Sequence, residues 1–149
     1  MRLWPSRSRT VWAAIGLALL FMLGSRARLD LSVAKDRNPE YVLLSDGSVR
    51  NGYTVKLRNM EDRPRTMTLA LEGLPRGAMY ADDMDAKDAA RALTFQVPAD
   101  ETLPLRIYVA EGRGAIDEGF SFTLKAHDAE AGSDRGETIF KAPDQQGGE

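Results

Sequence analysis

The chain contains no cysteine and a single histidine, His127. Without cysteine there is no disulfide, thiolate nucleophile, thiolate zinc site or iron–sulfur ligation. That absence leaves the compartment open, but it means that any folded domain is held by its core alone. The only tryptophans, Trp4 and Trp12, lie near the N-terminus. An excess of charge of one sign is also missing: 20 Lys and Arg face 22 Asp and Glu, for a net charge of -2. No basic stripe survives once the N-terminal arginines are set aside, which argues against a nucleic-acid partner. Ser45, Ser48, the lone histidine and scattered carboxylates form no triad in a recognisable context. The expectation is a protein that is not an enzyme, with no catalytic residue, no cofactor and no metal site.

What is present is a 43% hydrophobic, 28% charged chain of 149 residues, the profile of one globular domain with an appendage. The appendage is the single long apolar run, Thr10 to Gly24, with Arg2, Arg7 and Arg9 before it and Arg26 and Arg28 after it. One reading is a secretory signal, with Gly24, Ser25 and Ala27 at the cleavage point. The other is a retained transmembrane helix, short for a bilayer core that needs about 20 residues, but extended by snorkelling arginines and an interfacial Trp4 or Trp12. The arginines directly after the run favour the anchor. A core helix is disfavoured, because the run is apolar on every face. Positive charge is nearly balanced across it, so the positive-inside rule does not orient it.

From Leu29 the period changes to two. Apolar residues alternate with polar ones at Leu29–Val33, Tyr53–Leu57, Met67–Leu71, Leu93–Val97, Leu103–Val109 and Phe120–Ala126, with a last short strand at Thr138–Lys141. Such alternation marks half-buried strands. About seven strands separated by polar or glycine-containing spacers predict an all-β antiparallel sandwich of immunoglobulin-like type, without the disulfide and core tryptophan of antibody domains. Tyr80–Ala92 breaks the pattern and reads as a helical turn crossing between sheets or a loop. The expected organisation is a basic segment and transmembrane helix over residues 1–28, the sandwich over 29–143 and a frayed tail over 144–149.

Between the apolar run and the strands lies Asp36-Arg37-Asn38-Pro39, followed by Leu44-Ser45-Asp46-Gly47-Ser48-Val49-Arg50-Asn51-Gly52-Tyr53 and Val55-Lys56-Leu57-Arg58-Asn59. Asn38-Pro39, Asp46-Gly47 and Asn51-Gly52 are turn signals, each marking a sharp bend or a positive φ. The same residues, with the Glu72-Gly73-Leu74 turn, resemble the C-terminal part of the FixG/CcoG family of membrane-bound cytochrome c oxidase accessory proteins. The resemblance implies a last transmembrane helix followed by a periplasmic immunoglobulin-like domain, hence an anchor in the inner membrane with its N-terminus in the cytoplasm. It implies partners among the subunits or assembly factors of a cbb-type cytochrome c oxidase, besides the lipid bilayer. Full-length members also carry earlier helices and a cysteine-bearing ferredoxin-like segment, to which their electron transfer belongs. None of that is in this chain, which corresponds to the C-terminal piece alone.

Three candidate sites follow from residue types. Met60, Met67, Met79, Met84 and His127 are soft ligands that suit Cu(I), and a copper-handling module of Met79, Met84 and His127 is the alternative function. The bland reading is stronger: Met67 fits an apolar strand face and no donors cluster. Asp82, Asp83 and Asp85 suggest calcium but lack the glycine and terminal acid of an EF-hand loop, so a solvated loop is favoured. Arg37 and Arg50 could pair with Asp36 or Asp46, or contact a partner. The expected function is surface recognition of a protein, including strand addition at a sheet edge; a secreted β-sandwich binding protein is the remaining alternative.

Overall fold

The computed structural model describes residues 7–24, 28–128 and 132–144. Helix α1 (Arg7–Gly24) is followed by nine strands: β1 (Leu29–Lys35), β2 (Val42–Leu43), β3 (Val49–Asn59), β4 (Arg65–Glu72), β5 (Ala78–Ala81), β6 (Ala92–Val97), β7 (Thr102–Glu111), β8 (Glu118–Ala126) and β9 (Ser133–Phe140). All pairings are antiparallel, and the strands form two sheets. The first runs β1-β3-β7-β5, with β2 also on β3; the second runs β6-β4-β8-β9.

Alternation drives the packing. Tyr53, Val55 and Leu57 of β3 and Ile107 and Val109 of β7 point inward from the first sheet. Met67, Leu69 and Leu71 of β4 and Phe120, Phe122 and Leu124 of β8 meet them from the second. At the centre, Tyr53 packs edge-on against Phe120 and Phe122, with centroids 5.6 and 5.5 Å away. Its hydroxyl donates to the Ile139 carbonyl at 2.8 Å, so the one polar atom of this cluster is satisfied.

The structure departs from the sequence reading in two places, at Asn51-Gly52 and at the last strand. Asn51-Gly52 is not a turn: both residues lie within β3, where Asn51 pairs with Val109 and Gly52 with Tyr108. The Asn51 side chain is fully buried and mimics a strand, donating to the Lys141 carbonyl at 2.8 Å and accepting from the Lys141 N–H at 2.9 Å. It thereby links the first sheet to the chain leaving the second. The last strand begins at Ser133, five residues before the expected start, because its inward positions carry little apolar signal. Asp134 accepts the Leu31 N–H at 2.8 Å, and a Cβ at Gly136 would fall 2.6 Å from Val33 Cγ2. This edge is polar and small because β1 lies close against it. Tyr80–Ala92 holds the end of β5 and a 3-10 turn at Ala86–Asp88, and is tied back by an isolated Met79–Ala90 bridge. Asp46-Gly47 does form the β2–β3 turn, with Gly47 at φ 86° and the Ser48 N–H bonded to Asp46 Oδ1 at 2.9 Å.

The apolar run is helical, but no helix among the described residues is long and apolar enough to cross a membrane. Eighteen residues at about 1.5 Å each reach about 27 Å, against a hydrocarbon core of about 30 Å, and Arg7 and Arg9 occupy the first turn. A span is therefore not established by α1. Nor is α1 a core helix: Trp12, Leu17, Leu20 and Phe21 are all exposed. Ser25, Arg26, Ala27 and the tail from residue 145 lie outside the described residues.

Candidate functional site

The outward face of the first sheet carries an ordered cluster of tyrosines and arginines. Cross-strand register builds it: Gly52 on β3, Tyr108 on β7 and Tyr80 on β5 stand in one row. Arg50 and Arg106 flank that row on β3 and β7. Asp36 follows β1, its N–H bonded to the Gly52 carbonyl at 3.0 Å. The Tyr80 and Tyr108 rings lie 5.4 Å apart. Arg50 stacks on Tyr108, with its guanidinium carbon 4.6 Å from the ring centroid, and donates to the Tyr80 hydroxyl at 3.3 Å. Arg106 donates through Nε to the Tyr108 hydroxyl at 3.1 Å and pairs through Nη2 with Asp36. The Tyr108 hydroxyl in turn donates to Asp82 Oδ1 at 3.1 Å. The bond to Tyr108, then the nearby carboxylates of Asp36 and Asp82, hold the Arg106 guanidinium above its ordinary pKa.

These bonds fix long side chains before any partner arrives, which removes ordering entropy from binding. Tyrosine and arginine are also the residue types over-represented at interface hot spots. Between Asp36, Val42, Arg50, Arg106 and Tyr108 the surface sinks into a notch of about 100 Å³. Gly52 is on its floor, and a Cβ there would collide with the Asp36 carboxylate and lie 3.5 Å from Arg106 Nη2. Glycine inside a strand costs stability, and here the missing side chain is what lets the Asp36–Arg106 pair form. A larger groove of about 300 Å³ on the second sheet is bordered by Glu72, Ser121, Arg135 and Glu137. Its arginine is already committed, to Glu72 at 3.2 Å and Ser121 at 3.0 Å.

The sequence candidates are dispersed. Met67 and Met79 are fully buried in the core and Met84 packs partly against it, while Met60 is exposed at the end of β3. His127 lies on the outside of the second sheet, its Nε2 bonded to Thr68. Met79 belongs to the other sheet, so Met79, Met84 and His127 do not converge. Asp82 takes the Tyr108 hydroxyl, Asp85 caps the 3-10 turn at the Lys87 N–H, and Asp83 is solvent-exposed. Among the described residues no three His, Cys, Asp or Glu side chains form a metal-sized cluster. Ser45 is exposed, and Ser48 donates to Asp46. Arg50 pairs with neither Asp36 nor Asp46: Asp36 takes Arg106 instead, and the Asp46 carbonyl takes Arg113 at 2.7 Å. Among the described residues no ion pair is formed by Arg37. Arg106 and Tyr108 were missed as site residues although they occupy the outward positions of an alternating strand. Tyr80 gave no such signal, since β5 does not alternate.

Residues 19–143 match the family described as "IG-like fold at C-terminal of FixG". The nitrogen fixation protein FixG of Rhizobium meliloti is 46% identical over 114 residues, covering 74% of this chain and 22% of that protein. Proteins RdxB and RdxA of Cereibacter sphaeroides are 38% and 35% identical, over 70% and 76% of this chain and 20% and 23% of theirs. The chain thus spans about a fifth of the length of these curated relatives. The crystal structure of a FixG-related protein from Vibrio parahaemolyticus superposes with a TM-score of 0.59 at 21% identity, covering 78% of this chain and 97% of that one, which supports the fold. With an immunoglobulin-like sandwich and a match over most of its length, the chain belongs to the family of FixG C-terminal immunoglobulin-like domains.

Proposed function

We propose that this chain is a non-catalytic docking domain, tethered to the inner membrane by α1 and facing the periplasm. Its partner would be a subunit or assembly factor of a cbb-type cytochrome c oxidase. The observation that carries the docking role is the pre-ordered Tyr80–Tyr108–Arg50–Arg106 cluster on the outward face of the first sheet. The tether is supported by α1 itself. Trp12, Leu17, Leu20 and Phe21 stay exposed and the helix has no polar face, so it requires an apolar environment from outside the domain. Arg9 near its start is exposed and can snorkel to a headgroup layer, which lengthens its reach. The oxidase as partner rests on family membership, and the redox chemistry of such an accessory protein would belong to parts outside this cysteine-free chain.

The test is site-specific photo-crosslinking in membranes. A photoreactive residue replacing Lys56, exposed on the clustered face, should capture an oxidase subunit or assembly factor. The same residue replacing Gln96, exposed on the opposite sheet, should not. Adding Tyr108→Ala should abolish the Lys56 product. Equal capture from both faces, or capture insensitive to Tyr108→Ala, refutes docking through this face. Release of the chain by alkaline extraction of the membranes refutes the tether.

A further inference from the structure

We infer that the notch between Arg50 and Arg106 is a carboxylate subsite, seating one Asp or Glu side chain of the docking partner. The inference rests on the docking role proposed for this face and names the chemistry of what is recognised there. Three observations carry it. First, the notch already selects a carboxylate: Asp36 sits on Arg106 Nη2, over a glycine that leaves room for it. Second, that pair saturates only one of the two cations. Among the described residues the partners of Arg50 are neutral, the Tyr80 hydroxyl and the Tyr108 ring, and Arg50 lines the notch with no acid on it. With Arg50 and Arg106 against Asp36, the lining itself holds one more cation than acid. Asp82 does not line it. Third, the size fits one small planar group, at about 100 Å³, with Pro39 and Val42 offering apolar wall to the methylene stem.

Arg50 is suited to the task because its guanidinium is held over the Tyr108 ring and bonded to the Tyr80 hydroxyl, so the two-pronged group that matches a carboxylate is positioned in advance. A neutral or basic side chain entering the notch would leave that guanidinium buried without a counter-charge, which gives the site its selectivity.

The experiment is an NMR titration of the full chain in zwitterionic micelles, with sodium acetate as probe and sodium chloride at matched ionic strength as control. Acetate should shift the Gly52 amide and the Arg50 Nε–H resonances saturably, and chloride should not. Arg50→Gln should weaken acetate binding about tenfold or more, as removal of a charge-assisted bond implies. Arg50→Lys, which keeps the charge and loses the planar fork, should weaken it less. Arg58→Gln, on the same face outside the notch, should leave it unchanged. Absence of saturable shifts, equal shifts with chloride, or equal weakening by Arg58→Gln overturns the subsite. The titration needs no partner, so the two ideas fail separately. Acetate binding without a Lys56 crosslink supports the subsite and removes its docking context; a crosslink without acetate binding removes the subsite alone.

Discussion

Asn51 offers the sharpest test of how the two sheets are held together. Its amide donates to and accepts from the backbone of Lys141, at 2.8 and 2.9 Å, from a fully buried position in β3. Asn51→Ala deletes both bonds. A net bond is worth about 1 kcal/mol, and a stranded buried group costs about 1–3 kcal/mol more. Lys141 is only half-buried, so water can reach its freed N–H and carbonyl, and the lower end applies. The expected loss is about 2 kcal/mol, or about 5–10 °C in Tm for a domain of this size. Asn51→Asp should be worse at neutral pH. The carboxylate can still accept from the Lys141 N–H, but it is desolvated and faces the Lys141 carbonyl, which lifts its folded-state pKa above the unfolded value. A group shifted that way binds protons more tightly when folded. Its penalty is therefore complete above the folded pKa and shrinks as the pH falls through it, when the protonated acid can donate to the Lys141 carbonyl. Urea unfolding of both variants, followed by far-UV circular dichroism at neutral and mildly acidic pH, reads these effects. A cost below about 0.5 kcal/mol for Asn51→Ala, the range of neutral surface changes, would refute the clamp. An Asp deficit that does not narrow on acidification would refute the electrostatic argument.

Other substitutions probe the core, the notch, the Asp128 ion pair and the β4–β5 connection. Tyr53→Phe keeps the edge-on ring packing but strands the Ile139 carbonyl, and thermal unfolding should show a loss of about 1–2 kcal/mol. The buried hydroxyl, whose pKa burial raises, should resist ionisation in an alkaline absorbance titration until the protein unfolds. Gly52→Ala drives a methyl into the Asp36 carboxylate; it should cost about 1–3 kcal/mol and abolish the acetate response. The hydrogen bond from Arg65, then the one from Arg63, hold the Asp128 carboxyl below its ordinary pKa. Its contribution is present above the unfolded carboxylate pKa and is lost as the pH falls through the folded value. Asp128→Asn should therefore destabilise at neutral pH and flatten the acid limb of the stability profile. Arg91 donates to the carbonyls of Leu74, Gly77 and Gly73 at 2.8, 2.9 and 3.0 Å. Arg91→Met should increase amide hydrogen exchange across residues 73–77 by orders of magnitude while leaving β8 protected.

What the sequence determined by itself was the class of the fold and the positions of most strands. Alternation in β1, β3, β4, β6, β7 and β8 assigns a face to each residue without reference to any other strand. The absence of cysteine likewise fixed what chemistry this chain cannot hold, and the residues from Asp36 to Asn59 marked the family. Tertiary structure decided everything that depends on two strands meeting. Asn51-Gly52 reads locally as a bend, yet burial against Lys141 and Asp36 makes both residues part of a strand, since long-range pairing outweighs a turn preference worth little alone. The polar inward face of β9 makes sense only once β1 lies against Gly136 and Asp134. The candidate site is the clearest case. Asp36, Arg50, Tyr80 and the Arg106–Tyr108 pair of β7 are far apart in the chain, and each reads singly as ordinary surface. Antiparallel register sets three of the strands side by side and aligns those side chains within one row and its neighbours, and no local pattern encodes that alignment.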